Sequence, residues 1–305
     1  MTNTIRPPKE ERIALLKRIV ESPSYTTDYS PVLRDHLDDP EPEVRMLAIQ
    51  GLWDYPNAEF VPLLFTAAEN DPDEQVRCRA IIALGRYIYE GEMADYDLDF
   101  GSIDEIMRLD ELPKEDFLKV KELLLGIYRD DSKTLDKRRF AVEALSFLSD
   151  EEIFALIEEA YAHPHPKMRL SAIFGMGRSG NVRWTEIILK ELYNPDPELQ
   201  REAIRAAGEA GLIEAGKDLW RLTYSEDREI QLEAIWALGQ GGWEGAFDRL
   251  DELSLDSFDP EIQETAEAAL EEWYIYSGVL TGEMLDENGF DLEDELENFV
   301  EGEDE

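Results

Sequence analysis

Residues 194–208 read NPDPELQREAIRAAG, and residues 71–85 read DPDEQVRCRAIIALG. Each places an aliphatic anchor, Leu199 or Val76, three residues after an aspartate and four before an alanine, Ala203 or Ala80. The same register recurs at Val44, Lys137, Met168, Ile230 and Ile262, followed by Ala48, Ala141, Ala172, Ala234 and Ala266. A further Ala or Gly stands seven residues after every anchor. Successive anchors lie 32, 61, 31, 31, 31 and 32 residues apart, about the length of one helical hairpin, with a wider gap after the second. Units of this size cannot bury their apolar faces alone, so the chain is expected to be all-α, a solenoid of stacked hairpins in one continuous array.

Each anchor helix carries its own start signal. Asp73, Thr134, Asp196, Asp227 and Asp259 stand three residues before their anchors, where a side-chain oxygen can accept from the free amides of a first turn. Pro42, Pro166, Pro197 and Pro260 occupy first helical positions, where no hydrogen-bond donor is lost. At about 100° per residue, the anchor and the residues four and seven later share one face, so small side chains there let a neighbouring helix come close. Gly85, Gly177, Gly208 and Gly239, nine residues after their anchors, are expected to help end the helices.

These segments look like the second helix of HEAT repeats, and they most resemble the short bacterial form known as the phycobilisome-lyase HEAT-like repeat. Arg45, Arg77, Arg138 and Arg169 match that family's arginine, while Gln200, Gln231 and Gln263 replace it in the last three units. The resemblance spans roughly residues 30 to 275. It implies an α-solenoid of about seven HEAT-like hairpins, and the charge distribution adds an acidic C-terminal tail. The expected organisation is a capping helix over 1–22, built on Ile13, Leu16 and Val20, then a solenoid over 23–276 with an irregular insertion at about 91–112, then a tail over 277–305.

Chemistry-bearing residues are sparse. In the same repeat class, deoxyhypusine hydroxylase holds two irons through His-Glu pairs, but His36, His163 and His165 are here each followed by another residue. His165 is expected to serve as a cap or surface residue. Asp95, Asp97 and Asp99 alternate as calcium loops do, yet Gly101 comes one residue late and Ile106 occupies the place of the bidentate glutamate, so a solvated acidic loop is expected. No Gly-rich phosphate loop, paired CxxC or Ser/His/Asp arrangement stands out, and neither a cofactor nor a catalytic residue is assigned.

The net charge is −41, and from Leu250 onward there are 21 Asp or Glu and no Lys or Arg. Such a surface disfavours nucleic acids and anionic membranes and favours a protein partner with basic segments. A single cysteine, Cys78, fits a reducing compartment, and the N-terminal MTNTIRPPKE lacks a signal-peptide apolar stretch, so a cytoplasmic protein is expected. Positions two, six and ten after each anchor lie opposite the alanine face and would form the concave surface. They supply Arg139, Phe174, Arg178, Arg201, Arg205 and Trp236 as the candidate partner-binding residues. The function expected is that of a noncatalytic interaction scaffold. Bilin-lyase-like chromophore attachment and nucleic-acid binding are the alternatives. Leu292, Leu296, Phe299 and Val300 give the tail a helical stripe that could compete with the partner or dock it.

Overall fold

The computed structural model describes residues 6–24, 26–94 and 113–276, and among these every regular element is helical. The acidic insertion around Asp95, Asp97 and Asp99 and the tail from Ser277 lie outside the described residues. The chain falls into two compact units, Met1–Ser179 and Gly180–Glu305.

The first unit opens with α1 (Lys9–Glu21), followed by α2 (Ser30–Arg34) and α3 (Pro42–Gly51), α4 (Val61–Asn70) and α5 (Glu74–Ala94). Two further hairpins complete it: α6 (Lys114–Arg129) with α7 (Leu135–Leu145), and α8 (Glu151–Tyr161) with α9 (Pro166–Ser179). The second unit holds α10 (Thr185–Glu191) with α11 (Pro197–Glu209), α12 (Gly216–Leu222) with α13 (Arg228–Gln240), and α14 (Phe247–Asp256) with α15 (Pro260–Tyr276). All seven anchors fall on second helices. Those helices pack side by side, α3 on α5, α5 on α7 and α7 on α9 in one unit, α11 on α13 and α13 on α15 in the other. Across the wider anchor gap α5 meets α7 directly, so among the described residues no other second helix stands between them.

The alanine register is the core. Ala48, Ala80, Ala141, Ala172, Ala203, Ala234 and Ala266 all have 0% exposure. Lys137 takes an anchor position by burying its aliphatic stem and donating from Nζ to the Ala68 carbonyl, 3.4 Å away at the end of α4. Burial holds its ammonium below the usual lysine range.

The caps lie where the sequence places them. Asp73 Oδ1 accepts from Gln75 and Val76, and Asp227 Oδ1 from Glu229 and Ile230, at 2.8 to 3.2 Å. Thr134, Asp196 and Asp259 accept in the same way. His165 caps α9, its Nδ1 accepting from the Lys167 amide at 3.2 Å. In four hairpins the residue after the anchor fastens the pair internally. Arg45 donates to the Asp39 carbonyl at 2.7 Å, Arg138 to Tyr128 at 2.9 Å, Gln200 to Leu192 at 2.8 Å and Gln231 to Thr223 at 2.9 Å. Glutamine therefore substitutes for arginine because the shared task is donation to a carbonyl that the first helix leaves free.

Two expectations require correction. Of the glycines nine residues after the anchors, Gly177, Gly208 and Gly239 stand one or two residues before their helices end, but α5 continues through Gly85 to Ala94. Gly208 lies so close to α13 that a Cβ would sit 2.8 Å from the Ala237 Cα. Chain reversal falls instead to Gly211 and Gly242, both at φ +59°, a conformation that costs other residues a Cβ clash. In α1 the buried stripe is Arg12, Leu16 and Ile19, whereas Ile13 and Val20 flank it. Arg12 can turn inward because Asp39 receives it, Nε to Oδ2 at 2.9 Å and Nη2 to Oδ1 at 3.1 Å. Burial opposes ionisation of Asp39, but the Glu41 amide and Arg12 outweigh it and hold the carboxyl below its usual range.

Candidate interaction groove

Close helix approach is what builds the site in the first unit. A Cβ on Gly85 would lie 3.1 Å from the Ala144 Cα, and one on Gly175 3.1 Å from the Ser146 Cβ. With α5, α7 and α9 drawn together, the residues six places after the anchors, Gln50, Ile82, Glu143 and Phe174, come onto one shared surface. Together with Trp53, Arg79, Phe147 and Arg178 they line a groove of about 270 Å³. Every lining residue belongs to a second helix or the turn that follows it.

The walls are aromatic. Trp53 and Phe147 lie 5.9 Å apart between ring centroids, and Tyr89 approaches Phe147 edge-on at 5.7 Å. The Arg178 guanidinium stands over both Phe147 and Phe174, at 5.5 and 5.3 Å. Phe174 is half-buried and Arg178 exposed, so the pair presents both an apolar edge and a cation to solvent.

The charges differ in how they are engaged. Arg139 donates to Asp136 at 2.8 Å and to Glu143 at 3.2 Å, and lies 3.7 Å above the Phe140 ring. Glu143 also accepts from Ser171 Oγ. Burial pushes the Glu143 carboxyl above its usual range, against the pull of those two donors. Arg86 pairs with Glu90 at 2.6 Å. Arg79, by contrast, meets no carboxylate or carbonyl acceptor among the described residues. Cys78 beside it is buried, and burial pushes its thiol up to about 11, which makes it a poor nucleophile.

The six residues singled out in the sequence thus divide between the units. Phe174 and Arg178 both line the groove, whereas Arg139, held by Asp136 and Glu143 of its own helix, is not a lining residue. Arg201, Arg205 and Trp236 lie in the second unit, on α11 and α13. There Arg201 pairs with Glu229, and Arg205 with Glu233 at 3.0 Å and Glu202 at 3.1 Å, so these guanidiniums join neighbouring helices. Trp236 is half-buried. Trp53, Arg79, Glu143 and Phe147 were not singled out beforehand. Glu143 and Phe147 stand six and ten residues after Lys137, so the same spacing rule reaches them.

Among the described residues no three potential metal ligands cluster, and no helix is long and apolar enough to cross a membrane. A family model described as HEAT repeats matches residues 30–96 and 185–271, about half of the chain. Among solved structures, Escherichia coli YibA is 13% identical, with a TM-score of 0.43 over 88% of this chain and 97% of that one. Human deoxyhypusine hydroxylase in complex with glycerol is 14% identical, with a TM-score of 0.38 over 88% of this chain and 92% of that one. Importin beta is 12% identical, with a TM-score of 0.46 over 88% of this chain and 39% of that one. No curated protein matches the chain.

Proposed function

Since the chain belongs to the HEAT-repeat family, we propose that it is a noncatalytic scaffold that seats a segment of a partner protein in the groove across α3, α5, α7 and α9. The observation that carries this reading is the wall formed by Trp53, Phe147 and Phe174, left half-open to solvent beside Arg79 and Arg178. Aromatic and arginine side chains at the centre of a concave patch are the residue types that dominate binding energy at protein interfaces. A volume of about 270 Å³ suits a few anchoring side chains rather than a whole cofactor. On this reading α1 caps the first hairpin, the strongly acidic exterior draws in a partner with basic surfaces, and residues 277–305 add to that field.

The test is affinity capture from the native cell with the full chain and with Phe174→Ser and Arg178→Glu. A partner retained by the parent chain and lost by both variants, with helicity and melting unchanged, supports the reading. Retention by both variants removes the groove from the interface. A copurifying pigment that absorbs outside the aromatic region would replace the scaffold with chromophore chemistry.

A further inference from the structure

This inference rests on the docking reading above and names what the groove selects. The protein as a whole carries a net charge of −41, which taken alone favours a basic occupant. The groove is locally different. Its lining carboxylate, Glu143, is already paired with the Arg139 guanidinium and accepts from Ser171, both through Oε1, so its negative charge is offset within the protein. Its two lining guanidiniums differ from each other. Arg178 is spread over two aromatic rings and exposed, while Arg79 lacks an acceptor among the described residues. A lysine or arginine inserted here would meet the like charge of Arg79. A carboxylate would meet the planar donor fork of Arg79, which it can engage through two parallel hydrogen bonds.

We propose that the groove binds a peptide segment in which an aspartate or glutamate stands beside large apolar side chains. The carboxylate pairs with Arg79, and the apolar groups lie against Trp53, Phe147 and Phe174. Arg79 is then a specificity-determining residue. The overall negative field acts on the partner's more distant surfaces and is screened beyond about 8 Å at physiological salt, whereas the groove contact is not.

The experiment uses two labelled peptides of about twelve residues that share Leu and Phe at helical spacing in a Gly/Ser/Ala background. One carries Glu at the intervening positions and the other Lys. Binding to the full chain is followed by fluorescence anisotropy at about 0.15 M salt. The Glu peptide is expected to bind at least about tenfold more tightly than the Lys peptide, and Arg79→Gln to weaken it by about tenfold, the equivalent of one charge-assisted hydrogen bond. Arg79→Glu should reverse the preference between the peptides, a result that a merely structural role for Arg79 would not produce. Equal or tighter binding of the Lys peptide to the parent chain overturns the inference, as does unchanged Glu-peptide affinity in Arg79→Gln. If the Lys peptide binds and Phe174→Ser abolishes it, the groove reading survives and only the acidic selectivity fails. If neither peptide binds and cellular capture is indifferent to Phe174 and Arg178, both fail.

Discussion

Replacing Gly126 or Gly208 by alanine adds the same methyl group to two different helices, α6 and α11. On propensity alone each change favours the helix by at most about 1 kcal/mol, because alanine loses less backbone entropy than glycine on folding. At Gly126 nothing lies within 4 Å of the new Cβ, so that gain should appear almost undiminished. At Gly208 the new Cβ would sit 2.8 Å from the Ala237 Cα and 2.9 Å from its Cβ, both on the adjacent α13. Neither atom is the end of a flexible side chain, so α13 itself must move. Overpacking of this kind costs about 1 to 3 kcal/mol, which exceeds the propensity gain and leaves Gly208→Ala less stable by about 1 kcal/mol. The two variants should therefore differ by about 2 kcal/mol, on the order of 4 to 8 °C in Tm by calorimetry. If Gly208→Ala melts as high as Gly126→Ala, close helix approach is not what that glycine provides, and the argument for Gly85 and Gly175 in the groove fails with it.

Ala203→Leu or Ala234→Leu should cost at least about 1 to 3 kcal/mol in thermal unfolding, since both alanines have 0% exposure. Asp39→Asn should cost about 3 kcal/mol near neutral pH, by leaving Arg12 buried without its anion. Because the Asp39 carboxyl titrates below its unfolded value, its contribution is present above the usual carboxylate range and lost as pH falls through the folded value; urea melts of parent and variant should accordingly converge in acid. Asp227→Ala should cost about 1 kcal/mol by the same melts through loss of the α13 cap. Cys78, with its thiol pushed up to about 11, should resist iodoacetamide at pH 8 in the native protein and react once unfolded, as read by mass spectrometry.

The repeat was legible because its signals are local and redundant. An aspartate, an anchor and an alanine within eight residues specify a start, a buried stripe and a contact distance, and all seven alanines are buried as their register requires. The expectation failed at Gly85 because the sequence cannot distinguish a glycine that turns the chain from one that admits a neighbour. Gly208 and Gly211 stand three residues apart and do these two different things. Arg12 was missed for a related reason: a charged residue reads as solvent-facing until its counterion appears, and Asp39 lies 27 residues away. In the groove, the spacing rule identified Phe174 and Arg178. It could not show which arginines are already engaged, because Arg139 and Arg205 find their carboxylates nearby or on the next hairpin while Arg79 does not.

The ion pairs between the second helices of the second unit have a mechanical consequence. Arg201 with Glu229, Arg205 with Glu233, and Arg228 with Asp259 and Glu261 tie α11 to α13 and α13 to α15 along partly exposed surfaces. The buried alanines set how closely the helices stack, and these ties resist their splaying. Apolar contacts of that kind keep their strength in salt, whereas exposed ion pairs weaken with it. The second unit is thus an elastic element with two restoring forces, of which one can be relaxed by ionic strength. Single-molecule extension should find it softer in high salt at unchanged helicity, and equal stiffness at low and high salt would mean that the alanine seam alone carries the load.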